Sequence, residues 1–306
     1  MEDYPRTLME LERRFASEEA CRDYLVRLRW PNGVQCRRCQ GTKMWATDRS
    51  LYHCATCGYQ ASVLSGTIFQ DTKQDLQLWF RAMWYVTNQK SGVSALGLQR
   101  ALGFGSYHTA WEWLHKLRTA MVRPNRDKLS GAVEVDEAYF GGPQPGKRGR
   151  GSGGKTLVLI AAQIDGRHIG RIRLKRVADA SAQSLEPAIQ ETIESGSRVL
   201  TDGWLGYNGL TSLGYVRKII RQEAVMGDNL LPRANRVVSL LKRWLLGIHQ
   251  GRVSVRYLDA YLDEFTFRFN RRASRWRGKL FYRLVQQAVE VDAVPVRRRQ
   301  CLALSV

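Results

Sequence analysis

From about Asp75 the apolar residues recur at helical spacing, and Leu76, Leu78, Trp79, Met83 and Trp84 form one stripe of an amphipathic helix. A shorter helical pattern runs over Ser17–Leu28. Further on, GVSALGLQRALGFGSYHTAWEWLHKLRTAM predicts a helix, a glycine-bearing turn at Gly103–Gly105 and a second helix from about Ser106. Helix, short turn, helix is the outline of a helix-turn-helix. In that outline Ser106, Tyr107, His108 and Thr109 open the second helix, where base edges are met, and Lys116 and Arg118 suit phosphates.

From residue 131 the period changes from helical to alternating. AVEVDEAYF alternates like a strand, KTLVLIAAQID reads as a buried strand, and HIGRIRLKRV is a third strand after a turn at Asp165-Gly166. ASAQSLEPAIQETIES is helical, RVLTDG and GYVRKIIRQE are short strands, and RANRVVSLLKRWLLGIHQ is a helix. Two more helices follow, around YLDAYLDEFTFRFN and KLFYRLVQQAVEV. Three strands, a helix, a strand, a helix or turn, a strand and a helix is the order of a ribonuclease-H-like mixed sheet. The expected fold is α/β: that core, preceded by a small cysteine ribbon and a helical DNA-binding region. The expected domains are 1–65 (N-terminal segment and ribbon), 66–130 (helix-turn-helix-like region), 131–292 (ribonuclease-H-like domain) and 293–306 (basic C-terminal tail).

Charge narrows the choice of partner. Lys and Arg number 48 against 28 Asp and Glu, a net charge of +20 in 306 residues, which predicts attraction to a polyanion, above all nucleic acid. The longest apolar stretches, such as Leu157–Ala162, are too short to cross a bilayer. The acidic, polar start MEDYPRTLME is no secretory signal. A cytoplasmic protein with no membrane partner is expected.

Four of the six cysteines form a pattern. Cys36 and Cys39, then Cys54 and Cys57, make two C-x2-C pairs separated by fourteen residues. In a reducing compartment this reads as a tetrahedral zinc site and not as disulfides, with Gly58 suited to the knuckle turn. Cys21 and Cys301 have no partner pattern.

GRGSGGKT, residues 149–156, has P-loop spacing. It lies between two predicted strands, so no helix N-terminus follows to hold a triphosphate, and ATP is not expected. The segment reads instead as a long basic hairpin loop in which Lys147, Arg148, Arg150 and Lys155 track a nucleic-acid backbone.

In the ribonuclease-H-like topology the middle of strand one, the end of strand four and the helix after strand five converge. A polar residue stands at each place: Asp136, Asp202, and Asn235 with Lys242. A carboxylate at Asp136, in an otherwise apolar strand, needs neutralising, and a divalent cation (Mg2+ or Mn2+) shared with Asp202 does so. Asn235 offers a neutral oxygen ligand, and Lys242, two turns on, a cation for the scissile phosphate. Glu134 shares the strand face of Asp136 and competes for its role, while Glu137 points the other way. Glu264 is an alternative carboxylate from a later helix, its simpler reading a salt bridge to Arg268.

VEVDEAYFGG, TDGWLGY, NRVVSLLKRWLLGIHQG and YLDEFTFRFNRR, behind a four-cysteine ribbon, resemble a bacterial insertion-sequence transposase of the DDE superfamily, the zinc-ribbon family with a D-D-N-K signature. The resemblance spans about residues 10–290. It implies Asp136, Asp202 and Asn235 as metal-site triad with Lys242 beside them; the third position is Asn where the wider superfamily has Glu. It also implies binding to double-stranded DNA at terminal inverted repeats and target, strand cleavage and strand transfer without ATP, homo-oligomers assembled on DNA, and a nucleoid-associated location. A DNA-binding regulator with an inactive nuclease-like domain is the alternative.

Overall fold

The computed structural model describes residues 2–47, 50–123, 125–141, 155–220, 230–250 and 253–291. The chain divides into two compact units, one formed by Met1–Pro124 with Ala273–Val306 and the other by Asn125–Arg272.

In the first unit, helices α1 (Leu8–Arg14) and α2 (Glu18–Arg29) start at Thr7 and Ser17, whose side chains accept N–H groups of the first turn. Strands β1 (Met44–Ala46), β2 (Leu51–Cys54) and β3 (Gln60–Ser62) form a small antiparallel sheet. Helix α3 (Leu76–Asn88) buries Leu76, Trp79, Met83 and Trp84, with Leu78 half-buried at the edge of the stripe. Helix α4 (Ala95–Leu102) is capped by Ser94 and ends at Gly103, whose φ of 71° only glycine adopts freely. Helix α5 (Tyr107–Ala120) opens at Ser106, and its Trp113 stacks on Trp79 of α3 at 3.6 Å between ring centroids. The two-helix outline and its glycine turn therefore exist as expected. The sequence had given no sign of α1.

The chain ends of this unit meet. Helix α9 (Arg277–Ala288) packs chiefly against α3, with Phe281 set among the rings of Phe15, Phe80 and Trp84. The expectation of one domain over 131–292 therefore differs from the observed division, which returns the chain to the first unit from Ala273. The reason is that an apolar helical stripe has the same period whichever surface it covers. The tail at 293–306 lies outside the described residues.

In the second unit, β4 (Ala132–Phe140), β5 (Thr156–Asp165) and β6 (His168–Val177) form an antiparallel meander. Helix α6 (Ala182–Thr192) leads to β7 (Arg198–Thr201), which pairs parallel with β4, and β8 (Val216–Ile219) pairs parallel with β7. The sheet order β6-β5-β4-β7-β8 is that of a ribonuclease-H-like core. The segment between β7 and β8 is a 3-10 helix, Leu205–Leu210. Strand side chains alternate between two apolar layers. Val133, Val135 and Val199 join Leu185 and Ile189 of α6 on one face. On the other, Val158, Ile160 and Leu174 meet α7 (Pro232–His249) and α8 (Val255–Asn270), with α7 over β4 and β5 and α8 over β6. Among the described residues no helix is long and apolar enough to cross a membrane.

Candidate active site

The parallel register of β4 and β7 matches Ala132 with Arg198, Val133 with Val199 and Glu134 with Leu200. The matched pairs end there, and Asp136 and Asp202 each lie two residues further along the chain, Asp202 just past the end of β7. Both carboxylates are half-buried. Each accepts a nearby main-chain N–H: Asp136 Oδ1 that of Glu137 at 2.9 Å, and Asp202 Oδ1 that of Trp204 at 3.1 Å. The second contact is an Asx turn, which orients the aspartate as the strand ends.

The acidic neighbours of Asp136 have other occupations. Glu134, on the same face and 2% exposed, accepts the N–H groups of Arg233 at 2.7 Å and Ala234 at 3.0 Å. Arg233 Nη1 adds a 3.0 Å ion pair. A carboxylate at a helix N-terminus satisfies donors that the helix leaves open and is favoured by the helix dipole. Glu134 thus anchors α7 to β4. Glu137 faces the opposite layer, where the Tyr207 hydroxyl donates to its Oε2 at 2.5 Å.

Asn235 follows Ala234 in the first turn of α7, so the anchor at Glu134 brings it to the face that carries Asp136. Lys242, two turns along and exposed, holds its Nζ 5.7 Å from the centroid of the Phe140 ring. Phe140 lies four residues beyond Asp136, on the same side of β4. Glu264 is 1% exposed, and Arg268 donates to its Oε1 from Nε at 2.9 Å and lies 2.8 Å away through Nη2. It rides on α8 above β6, two strands from β4. Asp136, Asp202 and Asn235 offer hard oxygen donors, the set that suits Mg2+ or Mn2+.

In the ribbon, each C-x2-C pair closes a knuckle of the same form. The N–H of Gln40 donates to Cys36 O and that of Gly58 to Cys54 O, at 2.9 and 3.0 Å, with Gln40 and Gly58 both at left-handed φ. The four sulfurs lie within 4.8 Å of one another, with Cys36–Cys57 and Cys39–Cys54 at 3.5 Å. Four thiolates bound at about 2.3 Å on a tetrahedron stand roughly 3.8 Å apart, so the cluster fits zinc.

The expected DNA-reading residues divide. Ser106, Tyr107 and His108 are exposed and Thr109 is half-buried at the start of α5. Lys116 leans over Trp79 with Nζ 5.9 Å from the ring centroid. Arg118, in contrast, is 2% exposed and does not offer its charge to a phosphate. The helix-turn-helix outline suggests a phosphate contact there, but Arg118 follows the buried Leu117 on a helix that buries seven of its residues. Lys147, Arg148 and Arg150 lie outside the described residues; Lys155 stands just before β5. Residue 156 opens that strand and no helix, so the arrangement a P-loop needs is not met.

Comparison with known proteins matches residues 128–270 to the ISXO2-like transposase domain and residues 16–60 to the transposase zinc-ribbon domain. An "uncharacterized protein in transposable element ISH50" of Halobacterium salinarum is 26% identical over 275 residues, covering 83% of this chain and 91% of the relative. A chain in a simian T-cell lymphotropic virus intasome, solved in complex with PP2A regulatory subunit B56 gamma, is similar over 61% of this chain and 70% of its own. At 13% identity and a TM-score of 0.33 that likeness is too loose to carry an argument. The two transposase models fall on the cysteine ribbon and on the five-stranded unit, and the chain belongs to the insertion-sequence transposases of the DDE type.

Proposed function

We propose that this transposase cuts and rejoins DNA at the ends of its element through a divalent-metal site held by Asp136, Asp202 and Asn235. The observation that supports the reading is that Asp136 and Asp202 each follow, two residues on, the last matched pair of the parallel strands β4 and β7, while Glu134 and Glu137 are engaged elsewhere. When bound there, Mg2+ or Mn2+ supplies the charge that activates a water or a 3′-hydroxyl and steadies the leaving oxygen of a phosphodiester. The protein's part is positioning. The sheet fixes one carboxylate, the Asx turn aims the other, and the Glu134 anchor sets the first turn of α7. Lys242 holds the scissile phosphate by charge, and no covalent enzyme intermediate and no ATP are involved. Exposed residues at the start of α5, with Lys116 and the ribbon, contact the terminal inverted repeats. Arg118 is left out of that set. The loop bearing Lys147, Arg148, Arg150 and Lys155 follows the DNA backbone, the protein works as a homo-oligomer on paired ends, and its positive charge keeps it on the nucleoid.

Asn235 and Lys242 are expected to fail differently, which tests the site. Asn235→Ala raises the Mg2+ concentration needed for cleavage, and Asn235→Asp, which keeps an oxygen, retains more activity. Lys242→Ala leaves the Mg2+ requirement alone, since a protonated amine has no lone pair for a metal. It slows the chemical step by about 100-fold, the scale of a lost charge-stabilising donor. A Mg2+ titration of cleavage across these variants decides. If Asn235→Ala titrates like the wild type, Asn235 is no ligand.

Replacing Lys147, Arg148, Arg150 and Lys155 with Ser is expected to weaken DNA binding and flatten its salt dependence, by about one unit of slope per lost phosphate contact. An unchanged slope of log K against log salt would remove the loop from the DNA interface.

A further inference from the structure

Strand β7 ends at Thr201, so Asp202 stands just past the last residue that the ladder holds. Other contacts fix the segment that follows. The Trp204 indole donates to Ala180 O at 2.7 Å, and Arg217 of β8 reaches Trp204 O at 3.1 Å and Asn208 Oδ1 at 2.6 Å. The fit admits no side chain at Gly206, where a Cβ would lie 2.5 Å from Ala180 O. Tyr207 is fully buried in the layer beneath, and its hydroxyl crosses to Glu137, the residue after Asp136. Burial first, then the Glu137 carboxylate, keeps the phenol well above its ordinary pKa, so the hydroxyl keeps its proton and donates.

We infer that Tyr207 is a positioning residue, a strap from the segment that follows Asp202 to the strand that carries Asp136, and that it sets the spacing of those two carboxylates. This rests on the reading of Asp136 and Asp202 as the metal-holding pair. Glu137 is the buckle. It needs only an oxygen that accepts the Tyr207 proton, and its negative charge is not required. Groups hydrogen-bonded to metal ligands typically govern metal affinity by an order of magnitude or more, and the Tyr207–Glu137 bond acts one link further out, through the chain that bears the ligands.

The experiment is Mn2+ binding to the zinc-loaded full-length protein by isothermal titration calorimetry, at a temperature where thermal melts show each variant folded. Tyr207→Phe and Glu137→Ala are each expected to weaken Mn2+ binding about tenfold, and the double variant about tenfold as well, because both remove one bond. Glu137→Gln keeps an accepting oxygen and is expected to bind within about twofold of the wild type. Wild-type affinity in Tyr207→Phe, additive losses in the double variant, or Gln behaving like Ala would each overturn the strap. Asp136→Asn separates the two ideas: wild-type Mn2+ affinity there overturns the metal-pair reading itself, whereas its loss beside an unaffected Tyr207→Phe overturns only the strap.

Discussion

Asp136→Ala and Asp202→Ala are each expected to abolish strand cleavage while DNA-end binding stays close to wild type. Metal charge stabilisation at a phosphoryl centre is worth several kcal/mol, so either loss lowers the rate by about a thousandfold or more. Neither side chain belongs to the apolar layers, and each accepts a hydrogen bond from a neighbouring main-chain N–H. Both variants should therefore fold. Glu134→Ala provides the contrast. It strips the carboxylate from the N-terminus of α7 and leaves the Arg233 side chain without its ion pair. A loss of about 3 kcal/mol or more of stability is expected there, as for a broken buried pair. Single-turnover cleavage, gel-shift binding and thermal melts separate these cases. Near wild-type cleavage in Asp136→Ala or Asp202→Ala would refute the site.

Cys36→Ser and Cys54→Ser are expected to release zinc and unfold the ribbon, leaving the second unit folded. The ribbon has three short strands, and few of its side chains are buried besides Cys36 and Cys54. So small an apolar core cannot offset the chain entropy of an ordered segment of this length. Structural zinc contributes about 10–16 kcal/mol in such modules, and that contribution is lost with a ligand. Metal analysis by mass spectrometry and proteolysis of the region around residues 30–62 report the two effects, and binding to terminal DNA should weaken in parallel. Stoichiometric zinc in the double variant would refute the four-cysteine site.

Much of the fold was legible because alternation and helical period report burial directly. HIGRIRLKRV reads as a strand from end to end, and β6 spans those same residues. The helix from Asp75 and the turn at Gly103 were equally plain, since each rests on local sequence: an apolar stripe at helical period, and a residue free to take positive φ. Long-range pairings were not legible. Nothing local tells Phe281 that it will meet Phe80, or Arg118 that it will be covered. At the candidate site, parity put Glu134 and Asp136 on one face but could not choose between them. Arg233, distant in sequence, engages Glu134 from its helix start, a pairing that parity alone does not foretell. Tyr207 was missed for the same reason: TDGWLGY drew notice for its aspartate, while the tyrosine's partner lies on another strand.

The most direct test of the metal-dependent cut-and-join chemistry is a strand-transfer assay with a labelled duplex carrying the element's terminal repeat and an unlabelled target duplex. With Mg2+ and no nucleotide, the wild type is expected to expose a 3′-hydroxyl at the repeat end and join it to the target. Asp202→Asn, still bound to the repeat, should yield neither product. Joined product that persists in Asp202→Asn, or that forms with chelator present, would contradict the account.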